Sequence, residues 1–451
     1  MILKNSIVIL TVILAIFFFV PLEYSLIFLA TLLLFWNYQS NRTFLNWFFL
    51  FFFILIYSFP AAIRYFDLVT VRYTVYYDLN VITGLYIFLY TFLLVFTKKI
   101  FENSFSPNFG LKINRFLILS NRNKSRSNAN FLLLIAYIFY FLVIYYLDSI
   151  GWFRSGNMAL LRDAAAKPPQ QIAILAEFGP ILLILTSMLL YEKKQPITLL
   201  MYAIGFVSLF AISLISGSRW MVISYLIVLF FNHEALRKHT LTLFIVGIPF
   251  IGLLFPTLLL YRSSDDGLYD SFIQVLNTDF EAVESLITVI SDRMNMLSTT
   301  NLIINDFGGV GGGANYFGNI VSLVPRILWP GKPVQLNSND LGADLGIIHH
   351  QDYLTSVSLT VIGESFYEIA FFGLIIALIQ GVIFALIDSM DKKSKVSNII
   401  YFLLSMKVVT LGTMYSFTAE MINFFVVGLI VVCAFVLLIY KSDNEKSTAS
   451  N

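Results

Sequence analysis

Charged residues are scarce in this sequence. Only 12% of its 451 residues are charged, whereas 58% are hydrophobic. A soluble protein of this length needs far more polar surface, so a soluble globular fold is excluded. The 29 basic residues nearly balance the 27 acidic ones, which argues against a nucleic-acid partner. The composition therefore predicts a membrane protein.

Cysteine is almost absent as well. The only one, Cys433, lies in an apolar run, so no disulfide can form within the chain.

The apolar runs also lack apolar–polar alternation, which excludes a membrane β-barrel. No small-residue cleavage site follows the first run, which is therefore predicted to be a retained span and not a signal peptide.

Apolar runs of about 15 to 22 residues recur along the chain, and each is long enough to cross roughly 30 Å of hydrocarbon. They predict an all-α polytopic integral membrane protein with about twelve transmembrane helices. The predicted spans lie near residues 5–20, 22–37, 46–63, 79–97, 130–149, 172–191, 196–215, 220–232, 241–261, 369–388, 398–416 and 421–440.

Lysine and arginine collect in the links on one side of this layout. The links with the excess are 98–129, 193–194, 237–238 and 392–395. Because basic loops stay in the cytoplasm, both termini are predicted to face it. The predicted location is a bacterial inner membrane, with one large loop in the periplasm.

The layout predicts four regions. The first is a transmembrane bundle of about nine spans over residues 1–261, followed by the periplasmic loop 262–368. C-terminal transmembrane helices over 369–440 and a polar cytoplasmic tail over 441–451 complete the chain. Apolar residues at helical spacing between Ser271 and Thr299 predict one or two helices on the membrane surface within the loop.

Two motifs stand out in the loop. Residues 308–319 read GGVGGGANYFGN; no strand precedes them and no Gly-Lys-Ser/Thr follows, so a flexible hinge is favoured over a phosphate-binding loop. The prolines of the turn 329–333 fix the backbone and present Lys332 beside Arg326. An interfacial anchor, with Trp329 among the lipid headgroups, explains that turn equally well.

Three stretches resemble a known family. They are Ser216-Gly217-Ser218-Arg219, the segment 325–333 with Asn337-Ser338, and the segment 358–364, SLTVIGE. At these residues the chain resembles the Wzy-type O-antigen polymerases and the polymerase of enterobacterial common antigen. The large exported loop before the last three spans is similar too. The second acidic residue one turn after Glu364, Glu368, is closer to the general O-antigen pattern.

The resemblance implies a polysaccharide polymerase, a glycosyltransferase that joins oligosaccharide repeat units carried on undecaprenyl diphosphate at the periplasmic face. Such a donor brings its own leaving group, so no cofactor is implied. The implied partners are the undecaprenyl-diphosphate-linked oligosaccharide, membrane lipids, and a chain-length regulator and a flippase of the same pathway. No metal is predicted, because the adjacent Asp265 and Asp266 in a Ser/Gly loop are more simply solvated.

The diphosphate is expected to be held by cations. An arginine fork reaches two phosphate oxygens at once. Considered alone, Arg219 and Arg262 are explained by contact with lipid headgroups, but the resemblance favours a substrate role for them. The candidates for diphosphate binding are Arg219, Arg262, Arg326 and Lys332, and those for sugar binding are Trp329, Asn337, Asn339, Asp340 and Tyr353.

Three choices remain open for the group that takes the acceptor proton. Glu364 and Glu368 lie on one face of a helix entering the membrane, where partial loss of water makes a carboxylate a better base. His350, beside His349, titrates near the working pH. A surface-helix pair, Glu281 and Glu284, is the third choice. Glu364 is favoured, ahead of His350.

Two other functions compete with polymerisation. An O-antigen ligase shares the topology and the polyprenyl-diphosphate donor but transfers the glycan to a lipid A core. A flippase or another transporter is a different class, and it needs polar residues along many spans to line a path. Ionisable residues within the predicted spans are few, which disfavours transport.

Overall fold

The structure is a computed structural model, and the residues it describes form part of the chain. The described ranges are 20–66, 78–104, 268–277, 296–314, 316–318 and 359–390, with isolated positions that include Trp329.

All regular secondary structure in these ranges is helical. The helices are α1 (Leu22–Ser40), α2 (Phe44–Phe53), α3 (Phe59–Tyr65), α4 (Val81–Ser104), α5 (Leu268–Asn277), α6 (Met296–Asp306), α7 (Val361–Ile369) and α8 (Leu374–Asp388). A π-helical turn, Ile54–Ser58, joins α2 to α3, and a 3₁₀ turn, Ala370–Gly373, joins α7 to α8. Two interrupted helices result.

Three helical segments are long and apolar enough to cross a membrane, namely Phe44–Tyr65, Val81–Glu102 and Val361–Asp388. This confirms the coarse prediction of an all-α membrane protein. The layout of about twelve spans and the periplasmic position of the large loop stay predictions. The four predicted regions also stay predictions.

The described residues fall into two compact units. Helix α5 belongs to one of them, and α1 to α4 and α6 to α8 belong to the other. Phe272, Val275 and Leu276 lie on one face of α5, and of these Val275 is buried whereas Phe272 and Leu276 are exposed. The position of α5 on a membrane surface stays a prediction.

Helix α4 is central in its unit because it packs against both α1 and α8. Glycines permit these contacts. A Cβ atom at Gly84 would lie 2.5 Å from the Glu23 carbonyl oxygen of α1, and one at Gly381 of α8 would lie 2.7 Å from the Leu94 carbonyl oxygen of α4. Small residues let helix backbones approach closely where no hydrophobic force between helices is available.

Two predicted boundaries differ from the observed ones. Helix α4 continues to Ser104, seven residues beyond the predicted end of its span, so Lys98 and Lys99 lie in a helix and not in a polar link. Helix α7 begins at Val361, so Glu364 and Glu368 lie inside a segment able to span the membrane. In both cases polar side chains of the added turns have partners on other helices: Lys98 bonds to Asn46 and Asp388, and Ser365 bonds to Tyr86.

The interruption between α7 and α8 was not predicted. Ala370 has a φ of 48°, a left-handed value that costs energy for a residue with a side chain. Gly373 follows so closely that an added Cβ would lie 2.2 Å from the Ser365 carbonyl oxygen. The chain therefore folds back against α7 before α8 continues, which leaves the last carbonyl groups of α7 open to other partners.

Candidate active site

The site is built on the first turn of α7. Thr360 is the N-cap residue, and its Oγ1 accepts a hydrogen bond from Gly363 N at 3.0 Å. The same hydroxyl lies 3.0 Å from Thr300 Oγ1 of α6. A threonine cap satisfies an N–H group that no helix can satisfy internally. The start of α7 is thus fixed both by its own cap and by α6.

Glu364 and Glu368 follow on this helix, one turn apart. Their exposed fractions are 2% and 0%. Residues four apart share one face of a helix, so two carboxyl groups are buried side by side. Burying carboxyl groups is costly, and such pairs are concentrated at functional sites, where their affinity for protons is put to use.

The glycine run covers the other end of α7. Three alternate N–H groups, of Gly309, Gly311 and Gly313, donate to three consecutive carbonyl oxygens, of Phe366, Tyr367 and Glu368, at 3.0, 3.0 and 3.1 Å. Gly309 and Gly313 have φ values of +77° and +78°, which glycine adopts without steric cost. The Phe366 carbonyl also accepts from the Ala370 N–H, so the run adds a second donor there and supplies donors to the carbonyl groups of Tyr367 and Glu368.

Gly311 packs against the carboxyl group of Glu368. A Cβ atom added there would lie 2.7 Å from Glu368 Oε1, closer than a side chain can come. Gly311 does not have a positive φ, so the demand for glycine here is one of space. The backbone at Gly311 therefore forms one wall of the Glu368 side chain.

Tyr316 follows the glycine run and closes the cluster. Its hydroxyl oxygen is buried and has no hydrogen-bond partner among the residues that the structure describes. Burial raises the pKa of this hydroxyl above its ordinary value, and the nearby carboxyl groups of Glu364 and Glu368 act in the same direction. Tyr316 is therefore a neutral hydrogen-bond donor beside two carboxyl groups.

Aromatic side chains from α4 and from the 3₁₀ turn after α7 pack against α7. The Tyr86 ring of α4 meets the Phe366 ring edge-on, with 4.8 Å between centroids, and the Tyr86 hydroxyl lies 2.9 Å from Ser365 Oγ. Phe371 packs on Phe366 at 5.4 Å. Edge-to-face pairs of this kind stabilise a fixed arrangement. The carboxyl groups thus sit on a helix that α4 and α6 both hold.

We name the cluster of Thr300, Tyr316, Thr360, Glu364 and Glu368 the carboxylate end.

At the opposite ends of α4 and α8, a second polar cluster surrounds Lys98. The Lys98 ammonium, fully buried, pairs with Asp388 and with Glu102, the latter at 3.0 Å, and also donates to Asn46 Oδ1. Thr43 Oγ1 donates to Asp388 Oδ2 at 3.0 Å. We name the cluster of Thr43, Asn46, Lys98, Glu102 and Asp388 the lysine end.

Of the residues selected from the sequence, the structure brings Glu364 and Glu368 together and places Trp329 with 41% of its surface exposed. That exposure suits a sugar contact and a headgroup anchor alike. The selected residues that lie outside the described part are Arg219, Arg262, Arg326, Lys332, Asn337, Asn339, Asp340, His350 and Tyr353. His349, Glu281 and Glu284 lie outside it too.

The sequence indicated Tyr316 only as an exported aromatic that could stack on a sugar, and it indicated no role for Gly311. Both lie in the motif of residues 308–319, which was interpreted as a flexible hinge. The available signal was the high glycine content, because the run forms successive turns with positive φ at Gly309, Gly312 and Gly313, a conformation that glycine adopts readily.

Arg64 was missed as well. It closes α3, and its guanidinium donates to Ser298 Oγ of α6. Arg42, the other arginine in the described part, lies beside Thr43 and donates to Gln39 Oε1 at 2.9 Å. An arginine at the end of a span that is predicted to run outward is the same signal that selected Arg262.

Among the described residues, no group of three histidine, cysteine, aspartate or glutamate side chains comes together in a way that would hold a metal ion. Comparisons with protein-family models, with curated proteins and with solved structures gave no match to this chain. The functional argument therefore depends on the residues themselves and on the short motifs noted above.

Proposed function

We propose that this protein is a polysaccharide polymerase of the inner membrane that joins undecaprenyl-diphosphate-linked oligosaccharide repeat units into a surface polysaccharide of the O-antigen type. The observation that carries the proposal is the pair of buried carboxyl groups, Glu364 and Glu368, at one end of a segment able to span the membrane. Ionisable residues inside membrane segments generally mark functional sites.

The proposed reaction is a metal-independent glycosyl transfer. The acceptor hydroxyl attacks the anomeric carbon of the donor sugar, and the bond from that carbon to the diphosphate oxygen breaks, leaving the electron pair on the diphosphate. The enzyme must accept the acceptor proton and stabilise the departing charge. Arg219, Arg262, Arg326 and Lys332 are proposed to bind the diphosphate.

The two carboxyl groups have different proposed roles. Glu368 lies against the backbone of Gly311, which limits its room for a substrate, so it is assigned to positioning. Glu364 lies one turn nearer to the start of α7 and is 2% exposed. Glu364 is therefore the proposed general base, and His350 is the alternative. Trp329, Asn337, Asn339, Asp340 and Tyr353 are the proposed sugar contacts.

A ligase is the second candidate, because a base beside a polyprenyl-diphosphate donor serves transfer to a lipid A core as well as to a growing chain. A flippase needs no base, because it moves its substrate without a chemical step.

In the proposed orientation, both termini lie in the cytoplasm and the carboxylate end lies on the periplasmic side. A chain-length regulator and a flippase of the same pathway are the proposed protein partners.

Glycan analysis of a strain that lacks the gene tests the function. A polymerase deletion leaves surface lipid capped with one repeat unit, because the ligase still transfers single units. A surface without any glycan would indicate a ligase or a flippase and would refute the polymerase. Restoration of long chains by the wild-type gene, and by a Glu23→Gln variant altered in a partly exposed first-turn glutamate of α1, provides the control.

A further inference from the structure

The Tyr316 hydroxyl differs from those of Tyr86 and Tyr90, and it shares with the Tyr57 hydroxyl a buried oxygen that has no partner among the described residues. Tyr86 shares a hydrogen bond with Ser365 Oγ, and Tyr90 donates to Gln380 Oε1, each at 2.9 Å. The Tyr316 oxygen is also buried, yet none of the described residues bonds to it. A hydroxyl buried without a partner has lost its hydrogen bonds to water and gained none, so it lowers the stability of the fold.

The environment of this hydroxyl determines what it can bind. It stays protonated, since burial and the charges of Glu364 and Glu368 both raise its pKa. It is therefore a donor whose oxygen acceptor is not among the described residues. A sugar hydroxyl suits the position because its oxygen accepts a hydrogen bond while its own proton is donated to a carboxylate.

The glycine run sets where the hydroxyl lies. Phe317 N donates to Gly313 O at 3.0 Å, which starts a helical turn that includes Tyr316. Gly313 is in turn bonded to Glu368 O. Tyr316 is partly exposed as a residue although its hydroxyl oxygen is buried, and an aromatic ring of this kind can pack on the apolar face of a sugar.

We propose that Tyr316 binds the acceptor sugar, with its hydroxyl donating to the oxygen of the acceptor hydroxyl while the proton of that hydroxyl points to Glu364. This rests on the polymerase function proposed above. During transfer the new bond forms between the acceptor oxygen and the anomeric carbon, the bond to diphosphate breaks, and the acceptor proton passes to Glu364. Tyr316 keeps its own proton, and a second lone pair of the acceptor oxygen makes the attack.

The first test is thermal unfolding of the purified full-length protein in detergent. Tyr316→Phe removes only the unsatisfied hydroxyl, so its Tm should rise by about 1–2 °C, whereas Tyr86→Phe, which removes a satisfied hydroxyl, should lower Tm by a similar amount. A lower Tm for Tyr316→Phe would show that its hydroxyl stabilises the fold, and this would overturn the proposal.

The second test measures transfer, with lipid-linked repeat units extracted from the deletion strain as donor and the same oligosaccharide released from its lipid as the varied acceptor. Tyr316→Phe should raise the KM for the acceptor about fivefold to tenfold, in line with loss of one hydrogen bond. Tyr86→Phe should leave that KM within about twofold. An unchanged KM in Tyr316→Phe would overturn the assignment.

A failure of the polymerase function is distinguishable from a failure of this inference. If the wild-type protein joins no units, the function is refuted, and the released oligosaccharide is then added during thermal unfolding. A rise in Tm that is larger for the wild type than for Tyr316→Phe supports Tyr316 as a sugar-binding residue without transfer. Equal rises, or none, refute it.

Discussion

At the lysine end, Lys98 lies between Asp388 and Glu102, whereas at the carboxylate end Glu364 and Glu368 carry the same charge on one helical face. Both clusters are buried. The lysine end joins opposite charges from α4 and α8, which offsets the cost of removing them from water. The carboxylate end instead places two acidic side chains of one helix side by side.

The difference indicates different roles. Opposite charges with hydrogen-bonded neighbours, such as the Asn46 and Thr43 contacts, are what a structural connection between helices requires. Two buried acidic side chains beside a tyrosine hydroxyl that bonds to no described residue are an arrangement typical of sites that act on a substrate. The predictions below separate stability from turnover at the two ends.

The largest effect is expected at Glu364. Glu364→Gln keeps the shape of the side chain but removes the base, so turnover should fall by about 10²- to 10⁴-fold, while thermal stability is preserved or improved. Turnover is measured with purified protein, two lipid-linked repeat units and no added metal. Wild-type turnover in Glu364→Gln together with loss in His350→Ala would move the role of base to His350.

The second prediction concerns the lysine end. Lys98→Met leaves Asp388 and Glu102 as neighbouring carboxylates without their cation, which should cost about 3–5 kcal/mol of unfolding free energy. Turnover per folded molecule should change little. Unfolding of purified variants in detergent measures the effect. The double variant Lys98→Met/Asp388→Asn should recover part of the loss, and no recovery would contradict the ion-pair account.

Part of this architecture follows from the sequence by simple physics. Apolar runs specify helices because a membrane leaves backbone groups no other partners, and the pair Glu364 and Glu368 follows from its spacing of four. Two features of the structure could not be predicted from the sequence. Lys98 appeared to begin a polar link, because its partner Asp388 is distant in sequence. The glycine run appeared flexible, because its bonds to α7 depend on a break at Ala370 that no motif announces.

The third prediction tests the wall that Gly311 forms. Gly311→Ala places a Cβ against the Glu368 carboxyl group, which must move, so overpacking should cost about 1–3 kcal/mol and turnover should fall. Gly318→Ala is the matched control, since nothing lies within 4 Å of its added Cβ. Equal turnover in both variants would show that the position of Glu368 does not matter.

The smallest effects are expected at two capping threonines, one at each end. Thr43 caps α2 and donates to the Asp388 carboxylate, whereas Thr360 caps α7 and contacts the Thr300 hydroxyl. A hydrogen bond to a charged group is worth about 1.5–3 kcal/mol and one between neutral groups about 1 kcal/mol. Thr43→Ala should therefore destabilise the protein more than Thr360→Ala.

The activities of the same two variants should follow the opposite order. Thr360 positions the helix that carries Glu364, so Thr360→Ala should lower turnover at a temperature where both variants remain folded, and Thr43→Ala should not. Serine keeps the hydroxyl that caps each helix, so Thr360→Ser and Thr43→Ser should restore most of the wild-type behaviour. If Thr43→Ala lowered turnover as much as Thr360→Ala, the two ends would be coupled, and the separation of a structural end from a catalytic end would be wrong.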